Sequence, residues 1–598
     1  MNTTEVNLTA VTAEVNLTGQ RETTITTPLR QIYEMSVQNS LRGVLGALVL
    51  ASVCLAQQSF ESLPAASAGL RGDEIRLQRT TMNFELTSNI NQTVNEQTDN
   101  EKEVEIGDVD NDGDYDVVIV SARSFFSAGA RRNKLYINDN GVFNEVTAKR
   151  IQGFTNVDVS RNGFLRDYDH DGWLDIIVVN DAIAGPARGT TRFYANKHPG
   201  GVFSHFEDET NRLNGAVGDA CGGFLADFNG DGNEDLYLGN YPNDAQDTMY
   251  YNNGVGSCTH VTAANVPTAR DYTVDVASAD LNGDGKIDML VSNDGDPAYI
   301  YYNDNQGAGS GPGDFRYPNS TTTFSAQNGL YPALEPGDFN GDGRMDFYFA
   351  NRGPTADDAL MINTGNDSNN KAVFSPITVP GIASTSPTAK VIVSDLNRDR
   401  RPDLIVMGGD TLFQSEPSRR TVIFRNTSHA GQTSFVEWSP APAFPSDASR
   451  AGWHAAAFDA NKDGRKDIFI GAMNDDFLLR GKMTTVLRES EINGNLPSFN
   501  NKEPLAIAGR NRPQSPGRFV ASILGGATVS AVLQSSADVS LTVYNSSGTM
   551  IVNSDRGGAG VEEALQFTAP GGALTFEVAN TSERGGSSYL LELLSRSN

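Results

Sequence analysis

The chain has 598 residues, with 46 Lys and Arg against 74 Asp and Glu, a formal charge of −28. So acidic a chain repels phosphate backbones, which excludes a nucleic-acid partner, and its length admits either several domains or one large repeat array. Its three cysteines are too few for a disulfide scaffold.

Residues 1–34 are polar and Thr-rich, carry the near-duplicate EVNLTAVTAEVNLTG, and show no core-forming pattern. From Met35 the chain changes: Arg42 precedes an apolar run from Val44 to Ala56, shorter than the roughly 20 residues of a membrane span but suited to a signal-peptide core. We therefore expect residues 1–34 to be an upstream extension, 35–56 a signal peptide directing the chain to the cell surface, the periplasm or the medium, and 57–80 a linker. Arg71-Gly72-Asp73 lies in that linker, where three residues of this kind arise by chance. No later segment is apolar for long enough to cross a bilayer.

Between residues 81 and 490 one nonapeptide returns seven times: DVDNDGDYD from Asp108, DYDHDGWLD from Asp167, DFNGDGNED from Asp227, DLNGDGKID from Asp280, DFNGDGRMD from Asp338, DLNRDRRPD from Asp395 and DANKDGRKD from Asp459. Side-chain oxygens at positions 1, 3, 5 and 9 with a carbonyl at position 7 make an all-oxygen cage of the kind calcium prefers, with Gly at position 6 permitting the sharp turn. The candidate ligands are Asp108, Asp110, Asp112 and Asp116; Asp167, Asp169, Asp171 and Asp175; Asp227, Asn229, Asp231 and Asp235; Asp280, Asn282, Asp284 and Asp288; Asp338, Asn340, Asp342 and Asp346; and Asp459, Asn461, Asp463 and Asp467. The sixth copy, with Asp395, Asn397, Asp399 and Asp403, has Arg400 in the Gly position followed by Arg401 and Pro402. We expect it to hold an ion weakly or not at all, with Arg400 paired to Asp395 or Asp399, so that six calcium ions bind per chain.

An EF-hand needs Glu at position 12 and flanking helices. Here position 12 is Ile119, Val178, Leu238, Val291, Phe349, Val406 or Ile470, inside runs such as DVVIV, DIIVV and DLYLG, which read as buried strands. Two further strands separated by turn residues, as in KLYIND and VFNEVT, and a fourth leading into the next loop complete a period of 53–64 residues. Four antiparallel strands repeated seven times suit radial closure, so we expect an all-β fold: a seven-bladed β-propeller with calcium loops. Either MNFELTSNI near residue 82 or KMTTVLRES near residue 482 is placed to supply the closing strand.

The repeats resemble the FG-GAP, or VCBS-type, family, whose calcium-loop blades build the head of integrin α chains and occur in many secreted bacterial proteins. GGFLADFNGDGNEDLYLGN, Gly222 to Asn240, carries the family pattern almost whole. The resemblance implies that the loops share one rim, each ion pinning the turn between two strands of a blade. It also implies a role in binding or adhesion.

Residues 491–517 are rich in Asn, Pro and Gly and read as a linker. From 518 to 598 short alternating strands separated by Gly, Ser and Asn turns mark a small β-sandwich. Its order, with the Asp538 to Tyr544 strand, the Pro570-Gly571-Gly572 turn and the Ser588-Tyr589 entry to the last strand, is similar to the bacterial pre-peptidase C-terminal domain.

No GxSxG, HExxH or Walker loop occurs, and the repeats assign the paired carboxylates to calcium. His170 lies in a loop, His198, His205, His260 and His429 lie near hairpins, and His454, beside Trp453, sits on an inner strand. No catalytic residue follows from the sequence, and we expect a binding protein for a glycan or extracellular protein, with Phe125, Phe126, Tyr241, Tyr331 and Trp453 as natural contacts. The alternative is a polysaccharide lyase or related carbohydrate-active enzyme on the same scaffold. A disulfide between Cys221 and Cys258 stays open.

Overall fold

The computed structural model describes residues 81–596 apart from short stretches chiefly between strands. These residues belong to one compact unit, Ala65–Asn598. Met35 with the apolar run after it, Arg71-Gly72-Asp73, and Phe125, Phe126 and Tyr331 lie outside the described residues. No helix among the described residues is long and apolar enough to cross a membrane.

The runs after the loops are strands: Asp116–Arg123, Asp175–Asn180, Asp235–Asn240, Asp288–Asn293, Asp346–Ala350, Asp403–Met407 and Asp467–Ala472. Asp175–Asn180 is buried at every residue, and a strand covered on both faces reads as a continuous apolar run rather than an alternation. Each is second in a sheet whose first strand ends just before the loop. The first strands are Asn100–Gly107, Ser160–Arg166, Ala220–Ala226, Thr273–Ala279, Ala333–Gly337, Lys390–Ser394 and Gly452–Phe458. The loop is thus the turn of an antiparallel hairpin in sheets that we number 1 to 7. Two more strands complete each sheet, and Ile90–Asn91 adds a short parallel strand to sheet 1.

The first strand of each sheet lies against that of the next, and Gly452–Phe458 lies against Asn100–Gly107, so the succession returns to its start. Each neighbouring pair of sheets shares its own apolar cluster. Val118 and Leu135 of sheet 1 pack with Leu165 and Ile176 of sheet 2, and Tyr136 and Phe143 of sheet 1 pack with Phe458 and Phe469 of sheet 7. Burial of such side chains is worth about 1.5–3 kcal/mol each.

Of the two closing candidates, the first is the one used. Phe84–Thr87 pairs antiparallel with Phe477–Gly481, in the register Phe84 to Gly481, and becomes the fourth strand of sheet 7. Thr485–Arg488 instead runs parallel to Leu505–Asn511. That second segment, expected as linker, is a strand that also pairs with Ser587–Arg596.

The C-terminal part is two facing sheets around a core including Phe519, Val529, Leu541, Phe576 and Leu591. It packs on sheets 6 and 7: Val532, Ala564 and Leu594 join the cluster of Ile423, Trp438, Trp453 and Met82. Gln566 accepts the Glu437 N–H at 3.0 Å and Ser530 donates to the Glu437 carbonyl at 2.8 Å, so side chains cap the outer strand of sheet 6 that would otherwise present open backbone groups. Trp453 is buried in that cluster and is no surface contact.

Cys221 and Cys258 are separate buried thiols. They lie on the first and fourth strands, opposite edges of sheet 3. Three strand spacings of about 4.8 Å exceed the reach of a disulfide, roughly 7 Å between Cα atoms.

Candidate functional site

The seven acidic loops share one set of hydrogen bonds. The position-1 carboxylate, from Asp108, Asp167, Asp227, Asp280, Asp338, Asp395 or Asp459, accepts the position-6 N–H at 2.7–3.1 Å. The position-5 carboxylate, from Asp112, Asp171, Asp231, Asp284, Asp342, Asp399 or Asp463, accepts the position-7 N–H at 2.8–3.0 Å. Position 9, from Asp116, Asp175, Asp235, Asp288, Asp346, Asp403 or Asp467, is buried and accepts an N–H on the third strand or just past it at 2.7–3.0 Å. The loop is therefore shaped by its own carboxylates. Positive φ is needed at position 4 as well as position 6: Asn111, His170, Gly230, Gly283, Gly341, Arg398 and Lys462 all take it, a conformation that costs a non-Gly residue roughly 1–2 kcal/mol.

Two of the loops carry a second feature that would suit a cation. Where position 3 is Asp, three carboxylates converge with ligand oxygens within 4.8 Å of one another: Asp108, Asp110 and Asp116, and Asp167, Asp169 and Asp171. There Asp110 Oδ1, Asp167 Oδ1 and Asp175 Oδ2 are buried with no hydrogen-bond partner, a costly state for a carboxylate oxygen unless a positive charge faces it, as Arg212 faces Asp169 at 2.7 Å. Burial pushes Asp116 up to about 8 and Asp175, Asp235, Asp288 and Asp467 to about 7, against the opposing pull of their backbone N–H bonds. In the other loops Asn229, Asn282, Asn340, Asn397 and Asn461 supply the position-3 oxygen.

The sixth loop keeps the same backbone shape, with Arg398 and Arg400 at positive φ. The expected pairing of Arg400 is not the one formed. Its backbone N–H bonds Asp395, while Arg401 Nη2 pairs with Asp399 at 2.6 Å.

A residue class that escaped the sequence reading ties the loops together. On the third strands, or just past the end of one for Asn303, lie Asn138, Asn196, Asn252, Asn303, Asn363 and Asn426, whose side-chain amides donate at 2.8–3.0 Å to the position-2 carbonyl of the preceding sheet's loop, Ala460, Val109, Tyr168, Phe228, Leu281 and Phe339 in turn. Sheet 7 has Gly481 at this place, where an added Cβ would lie 2.4 Å from the Lys466 carbonyl. We expect Asn363→Ala to lower stability by about 1–3 kcal/mol, the cost of leaving buried polar groups unpaired, as measured by denaturant unfolding. A loss below about 0.5 kcal/mol, that of an ordinary surface change, would show that the stitch is immaterial.

A second convergence lies on the first strands, five residues before each loop. Those positions are Glu103, Asn162, Gly222, Asp275, Ala333, Lys390 and His454. His454 Nδ1 accepts the Val104 N–H at 3.0 Å, which leaves the ring proton on Nε2, 3.3 Å from Glu103. Lys390 Nζ lies 3.1 Å from Asp275 and 3.7 Å from Glu335, bridging sheets 4, 5 and 6. Burial pushes Glu103 to about 8, against Lys390, and holds His454 down near 3. For Lys390 burial lowers the pKa, but Asp275, Glu103 and Glu335 together raise it. Counting back from each Asp-rich loop picks out these residues, though not that they meet. Tyr241 stands apart, edge-on to Tyr272 with its hydroxyl 3.1 Å from Asp294.

Comparison with known proteins finds FG-GAP-like repeats at residues 108–178, 167–238, 227–291, 280–349 and 338–406. The seventh loop lies beyond that match yet keeps the same hydrogen bonds. The chain is 25% identical over 388 residues to Cartilage acidic protein 1 of Xenopus tropicalis, covering 61% of this chain and 56% of that protein's length. Among solved structures, the pre-peptidase C-terminal domain of a Bacillus anthracis collagenase is similar over 19% of this chain and 99% of its own, at 12% identity and a TM-score of 0.14. The periplasmic gluconolactonase of Pseudomonas aeruginosa is similar over 56% of this chain and 84% of its own, at 15% identity and a TM-score of 0.35.

Proposed function

The chain belongs to the FG-GAP-like repeat family, and from that premise we propose a secreted or cell-surface calcium-binding protein that engages a glycan or an extracellular protein. In this reading the seven sheets are the blades of a propeller, followed by a C-terminal β-sandwich. The observation that carries it is one acidic hairpin loop recurring at the same corner of seven sheets whose order returns to its start. Calcium accepts six to eight oxygen ligands at about 2.3–2.6 Å, and the loop oxygens at positions 1, 3, 5 and 9 are of that kind. Bound there, it would neutralise carboxylates that otherwise face one another. An extracellular setting, where calcium is plentiful and modest affinity suffices, agrees with the acidic composition and with a relative named for cartilage.

A second reading, a polysaccharide lyase or related carbohydrate-active enzyme, draws on the Glu103–His454 and Lys390–Asp275 pairs, which place acid, base and ammonium groups together. Both readings meet in one experiment with the full chain on arrays of glycans and matrix proteins, with calcium or with chelator. The first predicts capture that chelator abolishes and no product release. Unsaturated uronate ends appearing from an acidic polysaccharide would establish the second, and no capture under either condition would reject the first.

A further inference from the structure

The sixth repeat departs from its fellows in a way that the C-terminal sheets explain. Arg344 at position 7 of the fifth loop pairs with Asp342 much as Arg401 pairs with Asp399, so an arginine at this position is not in itself the difference. The difference is what holds it. Arg344 is 44% exposed in its side chain, and among the described residues its polar partners, Asp342 and the Asn363 carbonyl, belong to its own sheet. Arg401 reaches three partners: Asp399, the Asn426 carbonyl at 3.0 Å and Glu562 on the C-terminal part.

Glu562 is buried and also takes Arg425 Nη2 at 2.7 Å. Arg556, from the same C-terminal segment, donates to the Thr427 carbonyl at 2.8 Å and to Ser434 Oγ at 2.5 Å. A guanidinium fixed between two carboxylates by planar hydrogen bonds is a pre-organised partner, unable to leave Asp399 without also breaking its bond to Glu562. Position 6, glycine in the other six loops, is Arg400 here.

We propose that the sixth loop, residues 395–403, is a docking joint for the C-terminal β-sandwich rather than a cation site, with Arg401 filling the loop's demand for positive charge and linking Asp399 to Glu562. The contrast rests on the reading of the other loops as cation sites. Sheet 6 and the sandwich are thus held together by charge built into the chain, independently of ions that the surroundings supply.

Amide hydrogen exchange on the full chain separates the possibilities, because it reports each segment's local opening. Chelation should speed exchange about tenfold in the loops at Asp227, Asp280 and Asp338 and leave 395–403 and 562–568 unchanged. Arg401→Gln should speed exchange about tenfold in those last two segments, with calcium or without, as expected for loss of charged hydrogen bonds. The joint is overturned if chelator opens the sixth loop as it opens the rest, or if Arg401→Gln leaves both segments as slow as before. If no loop responds to chelator, the cation reading of the others fails while the Arg401→Gln arm still decides the joint. Should that variant not fold, Arg401→Lys, which keeps the charge but lacks the planar fork that holds both carboxylates, serves in its place with the same expected and overturning results.

Discussion

Stripping divalent cations is expected to lower the unfolding temperature of the chain more than any single substitution. A ligand that binds only the folded state stabilises it by about 2.7 kcal/mol per site at a hundredfold excess over Kd. Six sites then contribute on the order of 16 kcal/mol, more than the roughly 5–15 kcal/mol by which an ordinary domain is stable. The position-9 carboxyls add a pH signature. Without a cation, burial holds Asp116 near 8, four of its counterparts near 7 and Asp346 near 6, against about 3.9 in an unfolded chain. Between those limits the folded state binds more protons than the unfolded one, so stability falls as pH rises. The stripped protein should therefore be more stable near pH 5.5 than near pH 7.5, whereas the calcium-loaded protein should weaken on acidification, as protons compete for the same oxygens. Thermal unfolding at both pH values, with calcium and with chelator, checks this. Equal midpoints with and without chelator at pH 7.5 would reject the account.

What the sequence disclosed was local. The acidic nonapeptide forms a turn from its own side chains, so its shape is written within nine residues, and the runs after it are apolar enough to read as strands without their neighbours. What it did not disclose was pairing at a distance. Phe84 meets Gly481, and no local pattern distinguishes that strand from Thr485–Arg488, which goes elsewhere. The stitching asparagines lie towards the end of a third strand or just past it, where an asparagine equally serves a turn; only their reach into the preceding sheet reveals the second role. Leu505–Asn511 was obscured by Pro504 and Pro513 on either side, residues that bound strands as readily as they mark linkers. The Arg401 charge was plain, but Glu562 lies 161 residues onward.

Arg425→Gln is expected to destabilise the chain by about 3–5 kcal/mol, the usual cost of removing one partner from a buried ion pair. Arg425 sits on the third strand of sheet 6 with its side chain wholly buried, 2.5 Å from Glu592, 2.7 Å from Glu562, and its guanidinium 5.6 Å from the Trp438 ring centre. Glu592 is equally buried, and burial already raises its pKa while Arg425 opposes the rise. Without the arginine that carboxyl must take up a proton or remain charged in an apolar contact, so the defect should be milder in acid than at neutral pH. The damage comes from the orphaned carboxylates more than from lost attraction. Arg425→Met combined with Glu592→Gln, which leaves Glu562 to Arg401, should accordingly recover most of the stability, because apolar or neutral replacement of a whole buried ion pair is often close to neutral. Denaturant unfolding of the single and double variants decides it. If Arg425→Gln unfolds within about 1 kcal/mol of the natural protein, the contact between sheet 6 and the C-terminal sheets does not depend on this charge. If the double variant is no better than the single, the hydrogen-bond geometry rather than the buried charge sets the strength of the junction.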